Sequence, residues 1–306
     1  MIGLTTNGIV INEYGDVLLI VRNDTRTLAP PGGNIELGEL ATASVAREIE
    51  EETGIISMPV RLTGLYYWDW SPERPILAFM FRCIQRGGKL QPSSESPQVG
   101  FFSVNPLPRS LIPIHRERVL EAWHHEGGPI IWKRQTLTGL ERLGRLVVQK
   151  VIYPWYDWQR RRQGVPLYKA PPLWQVAAHV VIRNESGQVL WHKQPNGRFG
   201  LPGGLCGKNE APWETAVALA QQQTGLTIQL EDLSGVYVTE NKAEMVLVFT
   251  AVASTGNQVQ AAGETAVFTP DQEPETSAPH HRQRVADAVS PRTETIFRHE
   301  KEGDNT

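Results

Sequence analysis

The chain has 306 residues, of which 40% are apolar and 21% are charged, and its formal net charge is −3. These values are typical of a globular protein long enough for two domains, and the balanced charge argues against a dedicated nucleic-acid-binding protein. Only Cys83 and Cys206 are present, which excludes a disulfide framework. The first residues lack the order of a secretory signal, and no apolar run could span a bilayer, so we expect a soluble cytoplasmic protein without a membrane span.

The chain contains one long internal repeat. GIVINEYGDVLLI from Gly8 aligns with VVIRNESGQVLW from Val180, and PPGGNIELGE from Pro30 aligns with LPGGLCGKNE from Leu201. Later blocks match in the same order. Because co-linear matches of this kind indicate duplication of a domain, we predict two domains of one fold.

Each copy shows the same predicted elements in chain order. A hairpin comes first, followed by a glycine-rich loop, a helix over residues 40–52 that Gly54 ends, several strands and a short closing helix. Strands that alternate with helices favour a mixed sheet covered by helices, an α/β (α+β) fold. The predicted division is 1–128 for the first domain, 129–173 for a linker, 174–289 for the second domain and 290–306 for a disordered tail.

The linker has a composition of its own. Apolar residues at Leu140, Leu143, Val147 and Val151 form a helical stripe, and the aromatic and basic segment YPWYDWQRRRQG follows from residue 153. Its Trp155, Trp158 and Arg160 to Arg162 allow three interpretations: nucleic-acid binding, binding to an anionic membrane surface, or packing between the domains with the arginines in solvent. We favour packing.

The predicted helix of the first copy carries clustered carboxylates. Glu48, Glu51 and Glu52 project from one helix face because residues at i, i+3 and i+4 are neighbours. A Glu-rich face is often only solvated, but three adjacent carboxylates also suit a hard divalent cation, Mg²⁺ or Mn²⁺. The surrounding sequence distinguishes the two interpretations.

From Gly33 the spacing is Gly, five residues, Glu39, seven residues, then REIEEETGI from Arg47. This resembles the complete signature of the Nudix hydrolases, with every fixed position met over residues 33–55, and the wider resemblance covers both copies. It implies two Nudix-type α/β/α sandwich domains with mixed β-sheets. It also implies hydrolysis by water of the diphosphate in a nucleoside diphosphate linked to another moiety.

The resemblance implies roles for the box residues. Glu51 and Glu52 are expected to bind the metal, with Glu48 as a further ligand or as the base that activates water. Arg47 is expected to pair with Glu39 and fix the helix.

Gly32 and Gly33 are expected to let the backbone approach metal and phosphate closely, with Gly33 among the metal-site residues. One position departs from the family pattern. Many members carry a further metal-binding Glu just before the FF-type strand, where this chain has Gln98, with Glu95 nearby. That departure leaves open whether a needed ligand is lost.

The second copy keeps the spacing of the box over residues 204–226 and loses its charges. Arg47 corresponds to Ala218, and the three helix carboxylates correspond to Leu219, Gln222 and Gln223. Because hard-cation affinity falls with ligand charge, we predict no catalytic metal site there. Three roles remain open for this copy: packing, ligand sensing or weak residual catalysis.

Candidate substrate residues follow the box. Tyr66, Trp68 and Trp70 share one face of a predicted strand and could stack on a base or sugar, although such aromatics are more often core. Arg22 is a candidate phosphate partner, and Pro72 is a faint indication of ADP-ribose-type substrates.

The prediction is therefore a metal-dependent hydrolase that acts on a small nucleotide substrate, of the ADP-ribose or nucleoside triphosphate kind, with a non-catalytic second domain. The alternative is a nucleotide-binding or regulatory protein without catalysis. We also expect the two domains to pair within the chain, as Nudix homodimers do between chains, or the chain to form a homodimer.

Overall fold

A computed structural model describes residues 1–68, 74–136, 139–163, 172–194, 196–240, 242–253, 264–272, 274, 276–277, 279–291 and 294–301. Within these ranges, no helix is long and apolar enough to cross a membrane.

Both repeats contain the same succession of elements. The first repeat comprises β1 (Ile2–Val10), β2 (Val17–Val21), β3 (Leu28–Ala29), α1 (Ala41–Thr53), β4 (Ile55–Trp68), β5 (Ile76–Gly88), β6 (Gln98–Phe102), α2 (Pro113–His124) and β7 (Ile131–Gln135). The connection comprises α3 (Gly139–Val147), a π-helical turn (Val148–Ile152) and α4 (Tyr153–Gln163). The second repeat comprises β8 (Leu173–Arg183), β9 (Val189–Lys193), β10 (Phe199–Gly200), β11 (Gly203–Leu205), α5 (Pro212–Thr224), β12 (Ile228–Thr239), β13 (Glu244–Ala253), β14 (Thr265–Phe268), α6 (Pro279–Val289) and β15 (Ile296–Glu300).

The first repeat is a sheet between two helices, as predicted. β1 pairs in parallel with β5, β5 pairs antiparallel with β4, and β4 pairs in parallel with β7, so the sheet is mixed. Val45 and Ile49 of α1 join the core on one face of this sheet, whereas Val119 and Ala122 of α2 join a separate core on the other. Each of these buried aliphatic side chains larger than alanine contributes roughly 1.5–3 kcal/mol through burial.

The predicted hairpin near residues 8–20 is a turn between two sheets. The N–H of Asn12 donates to the carbonyl of Asp16 at 3.0 Å, and Gly15 adopts φ 82°. Beyond this turn β2 leaves β1 and pairs with β3 and β6 in a second sheet. The alternating apolar residues predicted β1 and β2 as strands. Which strands they pair with is decided by the rest of the fold.

Two predicted boundaries are wrong. β7 lies within the predicted linker and pairs in parallel with β4, and β15 lies within the predicted disordered tail and pairs in parallel with β12. Both are short edge strands in which charged residues stand beside an aromatic one. In the sequence this pattern looks like a polar loop. They form because each adds to the open edge of its own sheet.

The two repeats pack against each other reciprocally. β1 pairs antiparallel with β8, which joins the main sheets of the repeats into one. The ring of Trp132 in β7 lies 5.8 Å from Phe249 of the second repeat, and the ring of Phe297 in β15 lies 5.5 Å from Phe81 of the first. The domains therefore contact each other within the chain, as the pairing hypothesis expected.

The interpretation that the linker stripe packs between the domains is wrong. The linker is helical as predicted, but Leu143, Val147 and Val151 are 61%, 47% and 60% exposed. The physical reason is that the apolar surfaces of the two repeats already cover each other.

Candidate active site

Helix α1 places two carboxylates over the glycine loop and a third at the rim. Its apolar face is buried through Val45 and Ile49, so Glu48 and Glu52, one turn apart, point along the edge of that face. The Glu48 side chain is 15% exposed, whereas that of Glu51 is 61% exposed. The helix ends at Gly54, whose left-handed φ of 72° matches the predicted stop.

The loop before the helix contacts these carboxylates through its backbone. The N–H of Gly32 donates to Oε2 of Glu52 at 2.8 Å. A Cβ at Gly33 would come within 2.5 Å of the Glu48 carboxyl group, so the absence of a side chain there lets that group lie against the backbone. The carbonyl of Gly33 accepts the N–H of Thr6 at 2.8 Å, which directs it towards β1. Gly33 thus acts as a spacer beside Glu48, and its assignment to the metal site stays a prediction.

Arg47 holds the box together. Its Nε and Nη2 each donate to one oxygen of Glu39 at 3.0 Å, the predicted pairing, and its Nη1 donates to Glu48 at 2.9 Å and to Glu51 at 3.3 Å. These hydrogen bonds, above all those to Glu39, raise the pKa of Arg47. Arg47 thereby fixes the Glu48 side chain, and its Nη2 also donates to the carbonyl of Asn34 next to the glycine loop at 3.2 Å.

The two inner carboxylates are held in a poorly solvated place. The pKa of Glu52 is raised to about 8, mainly by burial and also by the nearby Glu48. The Gly32 N–H, Arg22 and Ser96 each act to lower this pKa. Burial also raises the pKa of Glu48, while Arg47 opposes the rise. The positive charges of Arg47 and Arg22 therefore do not offset the cost of burying these two carboxylates.

This pair fits a hard divalent cation. Both carboxylates reach one glycine cradle that a Cβ would fill, and each is destabilised in its ionised form by burial. Within the described ranges, no three His, Cys, Asp or Glu side chains are gathered as a metal cluster. Glu48 and Glu52 would hold the ion, with Glu51 at the exposed rim.

Two site residues were missed in the sequence. Ser96 is fully buried, and its hydroxyl donates to Oε1 of Glu52 at 3.3 Å. Asp24 pairs with both Nε and Nη2 of Arg22, at 2.9 and 2.5 Å. Neither residue is part of a sequence motif, because both lie in loops that are brought close to α1 only by the tertiary fold. Glu95 and Gln98, on either side of Ser96, are both exposed.

The predicted aromatic face does not form a substrate platform at Tyr66. This residue is fully buried, its hydroxyl donates to Glu121 at 2.7 Å, and the guanidinium of Arg118 lies 5.1 Å from the ring centroid. It is a core residue because β4 is covered by α2 on that face. Trp68 is half-buried at the end of β4, and Trp70 and Pro72 lie outside the described residues.

Arg22 is placed near the carboxylates, as a phosphate partner requires. Its charge acts on Glu52, and Asp24 holds its guanidinium. The linker also reaches this loop, because the hydroxyl of Tyr156 in α4 donates to the carbonyl of Asn23 at 2.5 Å.

The second repeat keeps the geometry of the box without its charge. Gln223 replaces Glu52 and makes two hydrogen bonds to Gly203, accepting its N–H at 2.8 Å and donating to its carbonyl at 3.0 Å. Leu219 replaces Glu48 and lies against Gly204. The adjoining cavity of about 340 Å³ includes Gln194 and Asn196, at the positions of Arg22 and Asp24. This pocket therefore has the amide side chains Gln194, Asn196 and Gln223 where the first repeat has the ionisable Arg22, Asp24 and Glu52.

Gly32→Ala is expected to destabilise the protein by roughly 2–4 kcal/mol and to lower turnover. Gly32 has φ 153°, and a Cβ would lie 2.0 Å from the carbonyl oxygen of Thr6. Gly15→Ala is the matched control, since Gly15 also has positive φ but nothing within 4 Å of an added Cβ. We expect this control to cost about 1–2 kcal/mol and to leave turnover intact. Equal effects in thermal denaturation and turnover assays would contradict the close-approach argument.

Comparisons with known proteins agree with the repeat. The NUDIX domain model matches residues 1–122 and 173–288. A MutT-like protein of Streptomyces ambofaciens is 38% identical over 115 residues, which are 38% of this chain and 73% of that protein. An ADP-ribose pyrophosphatase of Methanocaldococcus jannaschii is 34% identical over 104 residues, 33% of this chain and 62% of that protein. An 8-oxo-dGTP diphosphatase of Haemophilus influenzae is 28% identical over 99 residues, 31% of this chain and 71% of that protein. Because the family model covers most of both repeats, the chain belongs to the NUDIX domain family and is a Nudix hydrolase with two such domains.

Proposed function

We propose that the first repeat hydrolyses the diphosphate bond of a nucleoside diphosphate derivative with the help of Mg²⁺ or Mn²⁺, and that the second repeat is not catalytic. The observation that supports this most directly is the placement of Glu48 and Glu52 at the Gly32–Gly33 loop, with Glu51 at the rim. The second repeat has the same loop and helix with neutral side chains at these positions.

Each residue of the first site has a task in the proposed reaction. Glu48 and Glu52 supply the negative charge that binds the cation, and Glu51 approaches from the solvent side. When bound, a divalent cation neutralises diphosphate charge and lowers the pKa of a bound water. Glu48 also serves as the candidate base, because Arg47 fixes its carboxylate within the site.

Arg22 orients the substrate in this proposal. Its guanidinium is held by Asp24 next to Glu52, where a phosphate beside the carboxylates would lie within its reach. Trp68 remains a candidate for the base or sugar. The names of two relatives, an ADP-ribose pyrophosphatase and an 8-oxo-dGTP diphosphatase, support a nucleotide that contains a diphosphate, either ADP-ribose-like or a nucleoside triphosphate.

The alternative is a nucleotide-binding protein without turnover. The cavity beside Gln223 supports binding without hydrolysis in the second repeat, because its amides can hydrogen-bond a ligand and its lining lacks the carboxylates that bind a hard cation. In the first repeat, binding without hydrolysis is supported by the exposed Gln98, at the position where the family resemblance led us to expect a metal-binding Glu.

The test is turnover by the full chain of a panel of nucleoside diphosphate sugars, dinucleoside polyphosphates and nucleoside triphosphates, with Mg²⁺ and with a chelator. We expect hydrolysis of at least one class that the chelator abolishes. Glu51→Gln is expected to lower this rate about tenfold or more, whereas the matched change Gln222→Ala in the second repeat leaves it unchanged. Thermal stabilisation by a panel compound without any hydrolysis would instead support the binding protein.

A further inference from the structure

The outer surface of the linker helix is an exposed apolar ridge. Leu143, Val147, Val151, Trp155 and Trp158 follow one another at spacings of three or four residues, and Trp155 and Trp158 are 55% and 50% exposed. Large apolar side chains scattered singly on a surface are ordinary, but a contiguous row of them marks an interaction site.

The side of the helix that carries Ile152 and Tyr156 faces the first repeat. Tyr156 anchors it there through its hydrogen bond to the carbonyl of Asn23, and Ile152 is half-buried. Because these inner contacts occupy one side of the helix, the ridge is directed away from the protein.

The helix is also strongly basic in an acidic chain. Residues 139–163 contain six Lys and Arg residues against two acidic residues, a net charge of +4, whereas the whole chain carries −3, so the remainder carries −7. Lys150, Arg161 and Arg162 are exposed, and the guanidinium of Arg162 lies 4.1 Å from the ring centroid of Trp158. An apolar ridge with Trp and Arg at its end and an excess of positive charge is typical of helices that lie in a membrane interface.

We propose that the linker helix binds the surface of an anionic lipid bilayer, lying in its plane with the apolar ridge inserted at the headgroup boundary. Its 25 residues span roughly 37 Å, enough for several headgroups. This site is separate from the Nudix box and does not depend on hydrolysis.

The chemistry of the ridge favours lipid over two other occupants. Only Trp155 and Trp158, at one end of the ridge, offer rings on which a nucleic-acid base could stack, whereas Leu143, Val147 and Val151 are aliphatic and offer none. A second copy of the chain that docked through the same helix would bring two segments of charge +4 together, which repel each other. A bilayer of anionic lipids supplies both the apolar layer and the opposite charge.

The test is co-sedimentation of the full chain with vesicles of phosphatidylglycerol mixed with phosphatidylcholine, and with vesicles of phosphatidylcholine alone. We expect binding to the mixed vesicles that weakens as salt is raised, and little binding to the neutral ones. Arg161→Gln with Arg162→Gln is expected to weaken binding about 25-fold, because each basic residue near the surface contributes about fivefold. The matched control is Lys89→Gln with Arg109→Gln, exposed charges elsewhere, which leaves binding unchanged.

A second pair of variants tests the ridge. The triple change Leu143→Ser, Val151→Ser and Trp155→Ser is expected to abolish vesicle binding and to leave nucleotide turnover unchanged. Its control replaces three exposed apolar residues outside the linker, Met58, Leu90 and Val252, by Ser. Equal vesicle binding by the ridge variant and its control would overturn the proposal. The proposal would also be overturned if the chain did not bind anionic vesicles but bound single-stranded RNA through the same residues. The same holds if light scattering showed a dimer that forms through these residues.

Discussion

Glu52→Gln is expected to lower nucleotide turnover about a hundredfold or more and, at the same time, to stabilise the metal-free protein above neutral pH. The loss of turnover follows because an amide brings no charge to the proposed cation site. The gain in stability follows because the carboxylate is buried beside Glu48, whereas a Gln at this position carries no charge and can bond both the N–H and the carbonyl of the loop. Gln223 in the second repeat shows this, with hydrogen bonds to both the N–H and the carbonyl of Gly203.

The pH dependence of this gain has a definite sign. The pKa of Glu52 rises from its ordinary value of 4.5 to about 8 in the folded chain. The folded protein therefore holds this proton more tightly than the unfolded chain, and stability is lost as pH rises from about 4.5 to about 8. We expect the variant to be more stable than the wild type by a few kcal/mol at pH above 8, and by much less near pH 5.

Thermal denaturation with a chelator, at one pH near 5 and one above 8, measures the stability of both proteins, and a turnover assay with Mg²⁺ measures the activity. Glu50→Gln is the matched control, since Glu50 lies two residues away on the exposed side of α1. It should change neither quantity. Unimpaired turnover in Glu52→Gln would remove Glu52 from the proposed site, and a stability gain that is equal at both pH values would remove the burial argument.

Arg284→Ala is expected to destabilise the second repeat by about 3–5 kcal/mol. Arg284 of α6 and Glu300 of β15 form a buried two-point ion pair with distances of 2.9 and 2.6 Å, and their side chains are 7% and 8% exposed. Removal of the arginine leaves a buried carboxylate without its partner. The free energy of unfolding from denaturant titration gives the size of the loss.

The first repeat supplies a natural control for this pair. There Arg118 of α2 donates to the amide oxygen of Gln135 in β7, at 3.0 and 2.7 Å, so a neutral partner is accepted at the equivalent place. Glu300→Gln is therefore expected to cost clearly less than Arg284→Ala. If both changes have no measurable effect, β15 does not depend on this pair.

Local sequence features determined much of this protein. The aligned blocks established two domains, the apolar spacing of residues 40–52 established α1, and Gly54 established its end, because each depends on neighbours within a few residues. The spacing from Gly33 to Glu52 brought the carboxylates and the glycine loop into one unit for the same reason. Their replacement in the second copy was also visible without a structure.

Tertiary packing decided the rest. Tyr66 became a core residue because α2 covers its face of β4, and β7 and β15 became strands because each found an open sheet edge. Ser96 reached Glu52 only because the chain folds back across 44 residues. The linker stripe remained exposed because the two repeats had already covered each other's apolar surfaces. A helical pattern specifies which residues share a face, but what that face contacts depends on distant parts of the chain.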